Sequence, residues 1–156
     1  MTSLVEQVAL YIRDHEGRLA TAESCTGGLL AHQLTSVPGA SEWYHTGVVA
    51  YTEESKRQLL GLTDEELRGG LVTRDCAEAM ARRVAALSGA DYAISTTGVC
   101  GPAVSEGYPP CTAWIGVATP TGVFSTLYTS EDMGRSRNKE LVAYAALDFF
   151  LSLHRS

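Results

Sequence analysis

"TAESCTGGLL", residues 21–30, decides how the chain is read. One apolar run, "RLATA", leads into it and another leaves it. Between them stand Glu23, Ser24, Cys25, Thr26, Gly27 and Gly28. A plain turn needs one or two small residues, and this junction has more. A short strand, a small-residue turn and a new helix account for the pattern, with the helix start placed at Thr26 and its stop at Pro38 and Gly39.

Upstream, Leu4, Val8 and Ile12, with Val5 and Ala9 beside them, recur at helical spacing. They predict an amphipathic helix over 3–15, ended by Gly17. Downstream, "HTGVVAYT" reads as a strand and "EESKRQLLGL" as a short helix closed by Gly61. "TDEEL" has an N-cap threonine, Thr63, and acids in its first turn, so a further helix is expected there. "VTRDCAEAMARRVAALSGA" predicts a long helix capped by Thr73, with Cys76, Met80, Val84 and Leu87 on one face.

"DYAISTTGV" is a strand running into the loop "CGPAVSEGYPP". "CTAWIGVAT" and "GVFSTLYTS" are strands joined by "PTG", a hairpin turn. The last helix is expected from about Arg135 to His154, with Val142, Ala146, Phe149 and Leu153 buried. Helices alternate with strands early and a hairpin follows late. The expected fold is α/β: a three-layer α/β/α sandwich with a mixed β-sheet, one domain over residues 1–156.

The chain has 156 residues and a net charge of −6. No clustered basic surface is present, so nucleic acid is not an expected partner. The one dense basic run, Arg135, Arg137 and Lys139, is large enough for a single phosphate. No stretch reads as a signal peptide or a membrane span, so a cytoplasmic protein without a membrane partner is expected. The four cysteines show no C-x-x-C spacing and read as reduced thiols. The histidines do not cluster with them, and no metal or cofactor is expected.

The chemistry of the junction follows from its geometry. The first amides of a helix lack internal partners and carry partial positive charge. Glycines let a ligand approach the backbone. Such a turn can bind an anion or stabilise an oxyanion, and Ser24 sits at the turn itself. From spacing alone, a capped helix start with Ser24 or Thr26 as N-cap is the commoner use. No glycine stands two residues before Ser24, so a nucleophile elbow is absent, as is a Walker pattern.

A nucleophilic serine needs a base. His32 points away along the following helix, and His45 precedes a strand. Lys56, in "YTEESK", is the better candidate, because desolvation would supply its neutral amine. A solvated lysine paired with Glu53 is the alternative. Cys25 could itself be a thiolate nucleophile, although a small buried cysteine is the commoner use.

"TAESCTGG", "GVVAYTEESKRQLLGL", "ADYAISTTGVCGP" and "GRSRNKELVAYAAL" together resemble the C-terminal domain of the CinA family. Its stand-alone members include nicotinamide mononucleotide deamidases, and the chain has the length of that form. The resemblance implies an amidohydrolase that releases ammonia from a carboxamide. In it Ser24 would be the nucleophile, Lys56 its base and Tyr51 the supporting hydroxyl. Cys25, Thr26, Gly27 and Gly28 would place backbone amides near the reacting carbonyl or the phosphate. Gly98, Gly101, Arg135 and Lys139 would complete the substrate site.

The family's usual element is close to "SGIAGPxGGTxEKPVGTVW", whereas this chain reads "TTGVCGPAVSEGYPPCTAW". Gly98, Gly101 and Pro102 are kept. The double glycine, the lysine and the later glycine are not. The loop over 98–111 is therefore expected to set the substrate. Nicotinamide mononucleotide leads as a small-molecule substrate. The alternatives are the same chemistry on another amide, and a catalytically silent nucleotide-binding or assembly module. A symmetric homo-oligomer is expected of a small sheet domain.

Overall fold

Leu19–Glu23 forms β1, an interior strand of a five-stranded sheet. The computed structural model describes residues 3–155, and the rest of the expected span, Met1, Thr2 and Ser156, lies outside them. Strands β2 (Tyr44–Val49), β3 (Tyr92–Val99), β4 (Thr112–Thr119) and β5 (Gly122–Thr129) complete the sheet in the order β2-β1-β3-β4-β5. The pairs β1–β2 and β1–β3 are parallel, while β3–β4 and β4–β5 are antiparallel. The sheet is mixed, as the helix–strand alternation and the late hairpin require.

Alternation along β1 sorts the core into two layers. Leu19 packs with Ile94, Ile115 and Val117 against helices α1 (Leu4–Asp14), α2 (Leu29–Thr35) and, later in the chain, the last helix (Arg135–Ser152). Trp43 and Phe150 fill this layer. Ala20, Ala22, Ala93 and Ala118 face the other way, toward α3 (Glu53–Leu60) and α4 (Arg74–Ser88). The last helix is α5. Small residues on that face let α4 lie close. A Cβ at Gly116 would collide with the carbonyl of Ala77 on α4, and Ser95 Oγ donates to the same carbonyl. Close packing of this kind leaves no room for a methylene.

Several expected elements move. Helix α2 begins at Leu29, not Thr26, because Gly27 (φ 60°) and Gly28 (φ 100°) are left-handed and carry the chain around a turn first. "TDEEL" is a turn and not a helix. Thr63 and Glu66 exchange capping hydrogen bonds, but Gly69 and Gly70 follow at once and nothing propagates. Leu87 is 61% exposed, so it leaves the buried face of α4, which instead uses Ala77, Ala79 and Ala81 with Cys76, Met80 and Val84. On α5 the fully buried positions include Asn138, Val142, Ala143, Ala146, Leu147 and Phe150, while Phe149 and Leu153 pack at the edge of the core.

Candidate active site

Strand β1 ends at Glu23, and the next residue is Ser24. Its amide donates to the Thr96 carbonyl at 2.9 Å, which keeps it on the neighbouring strand β3 for one more residue. Its side chain turns toward α3. A capping box between Thr52 and Ser55 starts that helix, and one turn in, Lys56 reaches back under the sheet edge. Nζ of Lys56 donates to Ser24 Oγ at 2.8 Å and to the Ala50 carbonyl at 3.0 Å. Lys56 is fully buried and forms no ion pair among the described residues. Burial holds its pKa below the ordinary lysine value, with nearby acidic groups and thiols opposing that shift.

Ser24 Oγ in turn donates to the Tyr51 carbonyl at 3.3 Å. Tyr51 thus supports the pair through its backbone. Its ring is half exposed, and its hydroxyl accepts from Nη2 of Arg135 at 2.6 Å. Nη1 of Arg135 donates to the Gly101 carbonyl. One guanidinium, at the start of α5, therefore joins the segment after β2 to the loop after β3.

These groups line a cleft of about 440 Å³, within the usual range for small-molecule sites. Ser24, Cys25, Tyr51, Gly98 and Arg135 are on its wall, together with the 101–106 loop. Gly98 also serves packing, since a Cβ there would strike the Thr112 carbonyl. Among the described residues no protein group accepts from the amide of Cys25, the residue after Ser24. A helix-proximal amide in that position can stabilise an oxyanion.

The rest of the small-residue turn is placed elsewhere. Thr26 is buried, with its hydroxyl on Glu23 at 2.6 Å and on Thr96 at 2.8 Å. Gly27 and Gly28 shape the turn behind the cleft wall. Lys139 lies off the wall too, close enough to Gly27 that a Cβ there would sit 3.2 Å from its Nζ. The amides of α2 expected to meet an anion already hold one. The Glu23 carboxylate accepts from Leu30 at 2.8 Å and from Ala31 at 3.0 Å.

Three residues of the site were not singled out for it from the sequence. Glu23 is one, and its position before the turn, with a helix start a few residues on, was the available signal. Asn138 is fully buried on α5. It donates to the Cys100 carbonyl at 3.0 Å and to Asp132 at 2.8 Å, and accepts from the Met133 amide at 2.9 Å. Glu106 is the third. Its carboxylate accepts from the amides of Leu71 at 3.0 Å and Val72 at 2.9 Å, strapping the 98–111 loop to the segment before α4. The acid of that loop is thus committed to backbone. No group of three or more His, Cys, Asp or Glu among the described residues is arranged to hold a metal ion.

A family model described as the CinA C-terminal domain matches residues 1–154. A CinA-like protein of Chlorobium limicola is 40% identical over 157 residues, covering 94% of this chain and 35% of its own length. A putative competence-damage inducible protein of Bacillus pumilus is 40% identical over 136 residues, covering 85% of this chain and 33% of its own. The chain thus spans about a third of the length of these curated relatives. A competence/damage inducible protein of Agrobacterium tumefaciens has a crystal structure that superposes with a TM-score of 0.91 at 31% identity, over 97% of this chain and 94% of that one. A CinA superfamily protein of Escherichia coli gives 0.91 at 28%, over 96% and 88%.

Proposed function

The chain belongs to the CinA C-terminal domain family, and from that premise we propose that it is an amidohydrolase acting through Ser24 and Lys56. The reading rests on one observation, a fully buried lysine amine 2.8 Å from a serine hydroxyl at the edge of a cleft. Lys56, neutral, takes the proton of Ser24 Oγ as that oxygen bonds to the carbonyl carbon of a carboxamide. The carbonyl electrons move to oxygen, facing the free amide of Cys25. Collapse expels the nitrogen, which leaves as ammonia with the proton held by Lys56. Water then adds to the acyl-enzyme by the same route and releases the acid and Ser24.

Nicotinamide mononucleotide is the leading substrate. Arg135 supports this choice, because its guanidinium lies on the cleft wall and has N–H groups beyond the two it gives to Tyr51 and Gly101. A second reading, the same chemistry on a less anionic amide, is favoured by Glu106, an acidic residue of the cleft lining. A cytoplasmic setting accords with four unpaired cysteines.

Ammonia release is the test, with nicotinamide mononucleotide, its nucleoside and a panel of unrelated carboxamides as substrates. Release from the nucleotide supports the first reading, and release only from others supports the second. Binding without release from any amide would replace both with a silent binding module.

A further inference from the structure

Cys25 and Cys100 follow neighbouring strands of the sheet. Cys25 follows β1 by two residues and Cys100 follows β3 by one, and these strands are parallel neighbours with Glu23 opposite Thr96. Both pack in one buried cluster, and Cys100 Sγ lies 3.7 Å from the Cys25 carbonyl oxygen. Both line the cleft beside Ser24. The proposed hydrolysis uses neither sulfur.

We propose that Cys25 and Cys100 form a peroxide-oxidisable dithiol, a modification site in the cleft wall, with Cys100 reacting first and Cys25 resolving it. The electrostatics favour that order. The Cys25 thiol, together with the charges of Arg135 and Lys139, holds Cys100 below the ordinary thiol pKa although burial opposes this. The same contact, and burial, push Cys25 well above it. A more acidic thiol beside a less acidic one is the arrangement of a reactive cysteine and its resolving partner.

The co-reactant is hydrogen peroxide. The Cys100 thiolate attacks one peroxide oxygen, an S–O bond forms, the O–O bond breaks, and the departing hydroxide takes up a proton as water. Cys25 then attacks the sulfenic sulfur. An S–S bond forms, the S–O bond breaks, and a second water leaves with the Cys25 proton. Two thiols lose two electrons and two protons, and one peroxide becomes two waters. The other cysteines are spectators. Cys111 packs in the same cluster, but its thiol faces the Asn138 carbonyl and is pushed up to about 11. Cys76 lies on α4, in the layer beyond the sheet.

The test is disulfide mapping of the whole chain after reduction, exposure to hydrogen peroxide and alkylation. An intramolecular Cys25–Cys100 peptide is expected in the native chain and in Cys111→Ser, with loss of two thiols from the four of the reduced chain. It should disappear on treatment with dithiothreitol. In Cys25→Ala, the Cys100 sulfenic acid should persist long enough to be trapped by dimedone. Persistence of all thiols in the native chain, a bridge to Cys111 or a bridge between chains overturns the proposal, and none of these outcomes depends on a variant folding.

Discussion

Oε1 of Glu23 accepts from the amide of Leu30 at 2.8 Å, so helix α2 begins on an anion supplied by its own strand. Glu23 is 1% exposed, and its other contacts go to Thr26 and Ala31. It thereby fixes the turn that presents Ser24. Hydrogen bonds to a buried charge are the strong ones, so Glu23→Ala should lower stability by about 3 kcal/mol. Urea unfolding measures this. A loss under about 0.5 kcal/mol would mean the turn is held by its glycines and by packing alone.

Ser24→Ala should abolish ammonia release while preserving the thermal transition, because Lys56 keeps the Ala50 carbonyl as partner. A covalent route without its nucleophile loses about 10⁴-fold or more. Residual turnover near that of the native chain would exclude Ser24 and direct attention to Cys25.

Lys56 sets a pH dependence whose sign is determined. The neutral amine is the active form, and burial lowers its pKa below the ordinary 10.5. The rate should therefore be low in acid, rise through that lowered pKa and level off above it. The unfolded chain binds this proton more tightly, so stability should rise with pH between the folded pKa and 10.5. Lys56→Met should remove activity and that part of the stability slope together. A flat rate profile from neutral to alkaline pH would contradict the assignment.

Arg135→Gln should weaken binding of a phosphorylated ligand by about 10- to 100-fold, the magnitude of a lost charge-assisted contact. The corresponding nucleoside should be affected much less. Calorimetry on both ligands makes the comparison, and equal losses would show that Arg135 serves only to join Tyr51 to Gly101.

His154 stacks on Tyr11 with ring centroids 4.2 Å apart, and its Nε2 is buried without a hydrogen bond. Burial, with His15 nearby, holds its pKa below the ordinary 6.5. The folded protein therefore binds this proton less tightly than the unfolded chain. Its contribution is present above pH 6.5 and should be lost as pH falls through the folded pKa. Melting temperatures between neutral and mildly acidic pH should fall more steeply for the native chain than for His154→Phe. Parallel curves would remove His154 from the acid response.

The regular elements were legible where periodicity and caps agreed. Thr73 and Gly89 bound α4 as their types suggest, since a threonine hydroxyl and a left-handed glycine satisfy helix ends locally. "TDEEL" misled because its capping signal is also local, while propagation needs residues that Gly69 and Gly70 do not provide. Leu87 fits the periodic pattern of α4 but is 61% exposed, because periodicity names a face and not how far a covering partner extends. Burial there is decided by where the partner ends.

By itself the sequence determined the layered α/β order and the strand–turn–helix junction at Ser24, because hydrophobic period and turn chemistry act over a few residues. It also contained Ser24, Tyr51, Lys56 and Arg135, but not how they would meet. Only the tertiary structure decided that Lys56 is buried against Ser24, that Tyr51 offers its carbonyl to Ser24 and its hydroxyl to Arg135, and that Lys139 comes up beside Gly27. It likewise decided that Glu23 and Glu106 are committed to backbone amides. These contacts join residues far apart in the chain. Their distances follow from how β1, β3, α3 and α5 pack, and no local pattern encodes a partner brought close only by packing.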